Sequence, residues 1–257
     1  MIQTFTLCKH FGELRAVDQL NLDIPQGEFF AFLGPNAAGK TTTIKMLAGL
    51  LRPSLGYCMV AGYNVQKNPE AAKSLTAYVP DFPFLYDKLT AREFMQFTGD
   101  LFGIDRKEAA RGTDALFEQF HLDDYRNELT ENLSHGTRQR LVIASALLHE
   151  PRVIIIDEPM VGLDPQHARI VKEELKNRSR KGTTIFLSTH TLSIAEEIAD
   201  RIGIIHRGRL IAGGTADELR KKAEETGGLE KVFLALIDAE QAAAEKFLKG
   251  QRQAPLP

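Results

Sequence analysis

Residues Gly34, Pro35, Asn36, Ala37, Ala38, Gly39, Lys40, Thr41 and Thr42 follow the pattern Gly, four residues, then Gly-Lys-Thr. Such a loop cradles phosphate when a strand precedes it and a helix follows. Backbone N–H groups then converge on the anion, and the helix N-terminus adds positive potential. Both flanks have that character here. Residues 29–33 are a short apolar run of strand type, and residues 42–50 place apolar side chains at helical spacing. Lys40 would reach the β- and γ-phosphates of a nucleoside triphosphate, and the Thr41 hydroxyl would take a place on Mg²⁺.

A second constellation lies far downstream. The apolar run 153–156 ends in Asp157-Glu158, and a parallel strand buried on both faces has that look. Carboxylates at the C-terminal edge of such a strand stand where α/β sheets bind ligands. Asp157 could hold Mg²⁺ through its water shell, and Glu158 could orient or deprotonate an attacking water. His190 closes a later strand-like run, 184–188. It could donate to a γ-phosphate, although a lone strand-end histidine is more often a structural residue. Phe11 could stack on a purine ring or simply pack.

Positioning these groups requires an alternation of strands and helices. Apolar segments 5–8 and 17–24 read as strands around a Gly12 turn, and 57–62 and 75–79 as further strands. Thr90 and Glu93 form a capping box that opens a helix to about 102, and a second helix spans 106–120 with Ala109, Leu116, Phe117 and Phe120 on one side. Helices are expected over 138–149, 165–180 and 192–199, with short strands near 203–205 and 210–212. Strands alternating with helices indicate an α/β fold with a mainly parallel sheet, here interrupted by an inserted helical lobe over 90–130. After Gly227-Gly228 come an amphipathic piece, 229–234, and an Ala-rich helical tail expected to fray beyond Gly250. Residues 82–86, Phe-Pro-Phe-Leu-Tyr, are unusually aromatic for a connector and form either a folded-in loop or a docking surface.

Composition narrows the classes. The 257 residues are 43% hydrophobic and 26% charged, enough for one large α/β domain and a buried core. A net charge of −2 argues against nucleic acid as the main partner. Two cysteines, Cys8 and Cys58, without metal-site spacing suit a reducing compartment. The first residues lack a signal-peptide pattern, and no apolar run approaches a membrane span, so any membrane role is expected to come through a partner.

The phosphate loop, Leu133-Ser134-His135-Gly136-Thr137, Ile156-Asp157-Glu158-Pro159, Gly162-Leu163-Asp164 and Ser188-Thr189-His190 stand in the order and spacing of ABC-family ATPases, which the chain resembles over roughly residues 2–215. That resemblance implies a P-loop NTPase core with a mainly parallel sheet, an N-terminal antiparallel β subdomain and an inserted helical subdomain. An ATPase domain would cover 1–220, with its helical subdomain at about 82–150, and a helical extension would cover 221–257. Phe11 would be the adenine-stacking aromatic and His190 the switch histidine. ATP would lie in a head-to-tail dimer, of two copies or of this chain with a close relative, between the P-loop of one subunit and Ser134 and Gly136 of the other, with the Asp164 loop crossing the interface. Asp81 would sit beside Mg²⁺.

Three positions depart from the family pattern. Ala37 replaces a usual Gly, so it must avoid positive φ or accept strain. His135 and Thr137 replace Gly and Gln. Asp81 replaces a frequent Gln, adding negative charge and losing a donor. The resemblance further implies an ATP-hydrolysing subunit that drives a separate integral-membrane permease from the cytoplasmic face. Its details are similar to bacterial exporters with ABC-2-type permeases, and residues 82–86 match the region that receives the permease. The alternative is a soluble ABC ATPase acting on ribosomes or DNA. Against it stand a single P-loop and the absence of long heptad arms.

Overall fold

The computed structural model describes residues 1–223 and 228–252. The chain opens with a hairpin, β1 (Ile2–Phe11) and β2 (Leu14–Ile24), then enters the molecule as β3 (Phe29–Leu33). Next come α1 (Lys40–Leu47), β4 (Leu55–Val60), β5 (Tyr63–Asn64), α2 (Pro69–Ser74) and β6 (Thr76–Val79). A helical stretch follows: α3 (Ala91–Leu101), α4 (Arg106–Gln119), two 3-10 turns and α5 (His135–Leu147). The remainder alternates: β7 (Val153–Asp157), α6 (Pro165–Arg180), β8 (Thr184–Thr189), α7 (Leu192–Ile198), β9 (Arg201–His206), β10 (Arg209–Gly214), α8 (Ala216–Lys222) and α9 (Leu229–Arg252).

Two sheets result. The outer one is antiparallel, in order β2-β1-β4-β5, and the central one runs β10-β9-β3-β8-β7-β6. All neighbours from β9 to β6 are parallel, and β10 alone pairs antiparallel, at the edge. Every residue of β3, β7 and β8 is buried, which explains the continuous apolar runs Phe29–Leu33, Val153–Ile156 and Ile185–Leu187 within them. Their side chains still alternate between faces. Ile154, Ile156, Ile185 and Leu187 join the core beneath α3–α6, whereas Val153, Ile155 and Phe186 join the core shared with α1 and the outer sheet. Three rings, Phe30, Phe32 and Phe186, meet there with centroids 5.3–6.5 Å apart.

Several boundaries differ from the sequence expectation. Helix α1 begins at Lys40, two residues early, because the phosphate loop itself supplies its cap at Gly39. Helix α5 begins at His135 and not at Arg138, with Ser134 as N-cap, since its Oγ accepts from Thr137 N at 3.2 Å. The hexamer α2, too short to show a period, was not expected. The amphipathic piece and the Ala-rich tail are one helix, α9. The fraying expected beyond Gly250 falls mainly on residues 253–257, which lie outside the described residues. The domain division at residue 220 falls inside α8. Leu229, Val232 and Leu236 of α9 pack with Ala31, Leu33, Ile202 and Ile204 of the central sheet. Among the described residues no helix is long and apolar enough to cross a membrane.

Candidate functional site

Strand β3 delivers the chain into the loop 34–39, and α1 carries it away. Gly39 sits at φ 108°, where a Cβ would overlap the Ala16 carbonyl, so only glycine fits. Gly34 is equally confined, with a Cβ there falling onto Ile205 O and Ala38. Ala37 takes the strained branch of the two foreseen: its φ is 62°, a left-handed conformation that costs an L-residue about 1–2 kcal/mol. Ala37→Gly should therefore raise resistance to urea, by about 1 kcal/mol at most after glycine's larger unfolded-state entropy is subtracted. A lower urea midpoint in that variant would contradict the strain.

Lys40 is buried, and its Nζ donates to Gly34 O (2.7 Å) and Pro35 O (3.1 Å). Burial lowers its pKa, against the opposite pull of Glu158 and Asp157. Thr41 Oγ1 donates to Asp157 Oδ2 at 2.9 Å, and Ser188 Oγ donates to Asp157 Oδ1. Burial pushes the Asp157 pKa up. The two hydroxyl donors oppose that shift, and nearby Asp81 and Glu158 add to it. Tyr78 beneath them is pushed up to about 12 by burial, then by Asp157 and Asp81.

This arrangement suits Mg²⁺. Among the described residues no three His, Cys, Asp or Glu side chains converge into a metal cage. One hydroxyl and one buried carboxylate do converge, with Asp81 lining the same cleft. Mg²⁺ is usually taken in that way, with one or two carboxylates and the remaining positions left to water and substrate phosphate.

Glu158 leaves the strand end at φ 46°, held by its N–H to Ser188 O (3.1 Å). Its Oε1 lies 2.7 Å from His190 Nδ1, and its Oε2 accepts from Thr189 Oγ1 at 3.2 Å. A carboxylate, an imidazole and the Lys40 ammonium therefore face one cleft of about 790 Å³. It is also lined by Phe11, half exposed, by Asp81, and by residues 35–42 of the loop, including Asn36, Ala38 and Thr42.

Ser134, Gly136 and Asp164 stand apart from this cleft. Ser134 is exposed at the start of α5, and Asp164 N-caps α6 by accepting from Gln166 N (3.0 Å) and His167 N (3.1 Å). The His167 side chain is the first cause of the lowered Asp164 pKa. His135 packs its ring against Gly162, so these two loops touch each other. Sequence reasoning missed Arg15, Arg207 and Gly208, which also line the cleft. The β9–β10 turn reaches the loop because Gly208 N donates to Ala38 O (2.8 Å), a contact that depends on sheet order and leaves no local sequence signal.

Of residues 82–86, Phe82, Phe84 and Tyr86 are 54%, 74% and 58% exposed, whereas Pro83 is buried and Leu85 packs on the core, so the segment is anchored through alternate residues and shows its aromatic rings outward.

Comparison with known proteins places this geometry in context. The ABC transporter family model matches residues 17–161. The bacitracin transport ATP-binding protein BcrA of Bacillus licheniformis is 39% identical over 226 residues, covering 86% of this chain and 72% of that protein. The probable multidrug ABC transporter ATP-binding protein YbhF of Escherichia coli (strain K12) is 34% identical over 92% of this chain, and the chain spans only 42% of YbhF. A solved structure described as the ATP-binding subunit of an ABC transporter superposes with a TM-score of 0.88 at 32% identity, covering 92% of this chain and 99% of that one.

Proposed function

The chain belongs to the ABC transporter family, and from its cleft we propose how it serves as the ATP-binding and ATP-hydrolysing subunit of a transporter. The observation that carries the reading is the convergence of Lys40, Asp157, Glu158 and His190 on one phosphate-sized loop. ATP is the substrate. Lys40 leaves its two loop carbonyls to neutralise phosphate oxygens, and the N–H groups of residues 36–41 hold the same anion. Thr41 and Asp157 would hold Mg²⁺, which would supply charge neutralisation on the phosphates. Glu158 accepts the proton of the attacking water, and His190 fixes the Glu158 carboxylate and donates toward the γ-phosphate.

Ser134, Gly136 and Asp164 lie outside their own copy's cleft, which fits the reading that they complete the site of a second copy. A serine hydroxyl at a helix N-terminus suits phosphate as well as the P-loop does. The exposed Phe82, Phe84 and Tyr86 supply an apolar face just after Asp81, suited to a separately encoded membrane permease. We assign the working place of the chain to the cytoplasmic face of the membrane on that basis. BcrA is named for bacitracin transport and YbhF for multidrug transport, which favours an exporter. No relative named here points to ribosomes or DNA.

Capture of the tagged chain from detergent-solubilised membranes, followed by mass spectrometry, tests the assembly. A multi-span protein near stoichiometry is expected from wild type and lost from Phe84→Asp. Recovery of ribosomal proteins alone would overturn the transport reading. Asp81→Gln tests the metal assignment. Losing a carboxylate near the ion should raise the Mg²⁺ concentration for half-maximal hydrolysis roughly fivefold, with ATP affinity little changed. An unchanged magnesium titration would leave Asp81 as a turn residue.

A further inference from the structure

The turn between β9 and β10 contains a conformational outlier whose sequence does not suit its shape. His206-Arg207-Gly208-Arg209 is a two-residue hairpin turn, with Arg209 paired to His206 and with φ 48° at Arg207 and 81° at Gly208. Both central residues are left-handed, the type I′ geometry that Asn-Gly adopts most readily. Arginine at the first position is strained there, and strain held in place invites a functional explanation.

The surroundings supply one. Arg207 is exposed and lines the nucleotide cleft. Its neighbours Arg15 and Arg209 both reach Asp18, at 3.9 and 2.6 Å. Arg207 has no carboxylate partner among the described residues. The turn itself is rigidly seated. Gly208 N donates to Ala38 O of the phosphate loop, and Gly208 O accepts from Asp18 N at 2.9 Å. The buried His206 is held from behind by Glu240 of α9, with Nδ1 to Oε2 at 2.8 Å. A residue whose guanidinium has no carboxylate partner among the described residues thus lines the cleft, on a turn braced from three sides.

Sheet order says which part of a ligand it meets. β9 lies on one side of β3, while β8 and β7, bearing His190, Asp157 and Glu158, lie on the other. The turn also abuts the β1–β2 hairpin that carries Phe11. We infer that Arg207 is a further nucleotide-binding residue, donating to ribose or α-phosphate oxygens on the flank of the cleft remote from Glu158. This inference rests on the nucleotide site proposed above. Five guanidinium N–H donors and no acceptor suit such oxygens, which ATP and ADP share.

Arg207→Asn separates binding from turn geometry, because asparagine accepts the left-handed position at lower cost. Dissociation constants for ATP and ADP would be measured by calorimetry on wild type, Arg207→Asn, Arg207→Lys and Lys40→Ala, with unliganded thermal midpoints alongside. Arg207→Asn should weaken both nucleotides about equally, roughly tenfold, with no fall in midpoint, and Arg207→Lys should recover part of the loss. Unchanged affinities would overturn the inference while Lys40→Ala still loses binding, leaving the nucleotide site intact. A loss that tracks a lowered midpoint in both Arg207 variants would also overturn it, in favour of a structural role. A wild-type chain that binds neither nucleotide would overturn both readings together.

Discussion

Glu158→Gln is expected to stop ATP turnover, by about 10²–10⁴-fold, while ATP binding persists. Glutamine keeps the shape of the side chain and its hydrogen bond from Thr189, but it cannot accept a proton from water. The geometry makes the residue hard to replace. Its left-handed φ turns the carboxylate out of the strand line, and His190 at 2.7 Å fixes its orientation. A bound but unhydrolysed nucleotide should also hold two copies together, so the variant should elute as a dimer when ATP is present and as a monomer when it is absent. Rapid-quench measurement of phosphate release together with size-exclusion chromatography reads both effects. Hydrolysis at the wild-type rate would remove Glu158 from the role of base.

Lys40→Ala carries the other large effect. The ammonium is buried, its pKa lowered by that burial, and its only hydrogen-bond partners among the described residues are two carbonyls of its own loop. Such a charge contributes little to the unliganded fold, since removing it also removes its desolvation cost. For a triphosphate the balance reverses, because a buried cation loses its principal anion-binding role when truncated. ATP affinity should fall at least about 100-fold, the equivalent of a lost charge-assisted contact in a dry site, with the urea midpoint little changed. Near-wild-type affinity would move the phosphates elsewhere.

Much of this is legible in local sequence patterns. The run 29–33 matches β3 at both ends, and 165–180 matches α6, because Pro165 at its start and Gly182 beyond its end punctuate the chain. The capping box of Thr90 and Glu93 appears as expected, with Thr90 N donating to Glu93 at 2.8 Å. The start of α5 was less legible. Gly136 and Thr137 are weak helix formers, and the apolar sequence begins only at Leu141, so the cap at Ser134 went unseen. The cleft shows the same division. Residues 34–42 and Asp157-Glu158 announce themselves by type and spacing. Arg207 and Gly208 come to the phosphate loop only because β9 lies beside β3, a long-range pairing that no local window contains.

In the proposed site two copies of this chain come together, Lys40 and Glu158 supplied by one and Ser134 and Gly136 by the other. Phosphate release by purified chain, measured with saturating Mg²⁺ and ATP across a wide range of protein concentration, tests it most directly. The specific rate should climb with concentration as dimers form, and Gly136→Asp, which places a carboxylate against the partner's phosphates, should abolish it. A specific rate independent of concentration and indifferent to Gly136→Asp would mean that one copy holds the whole site.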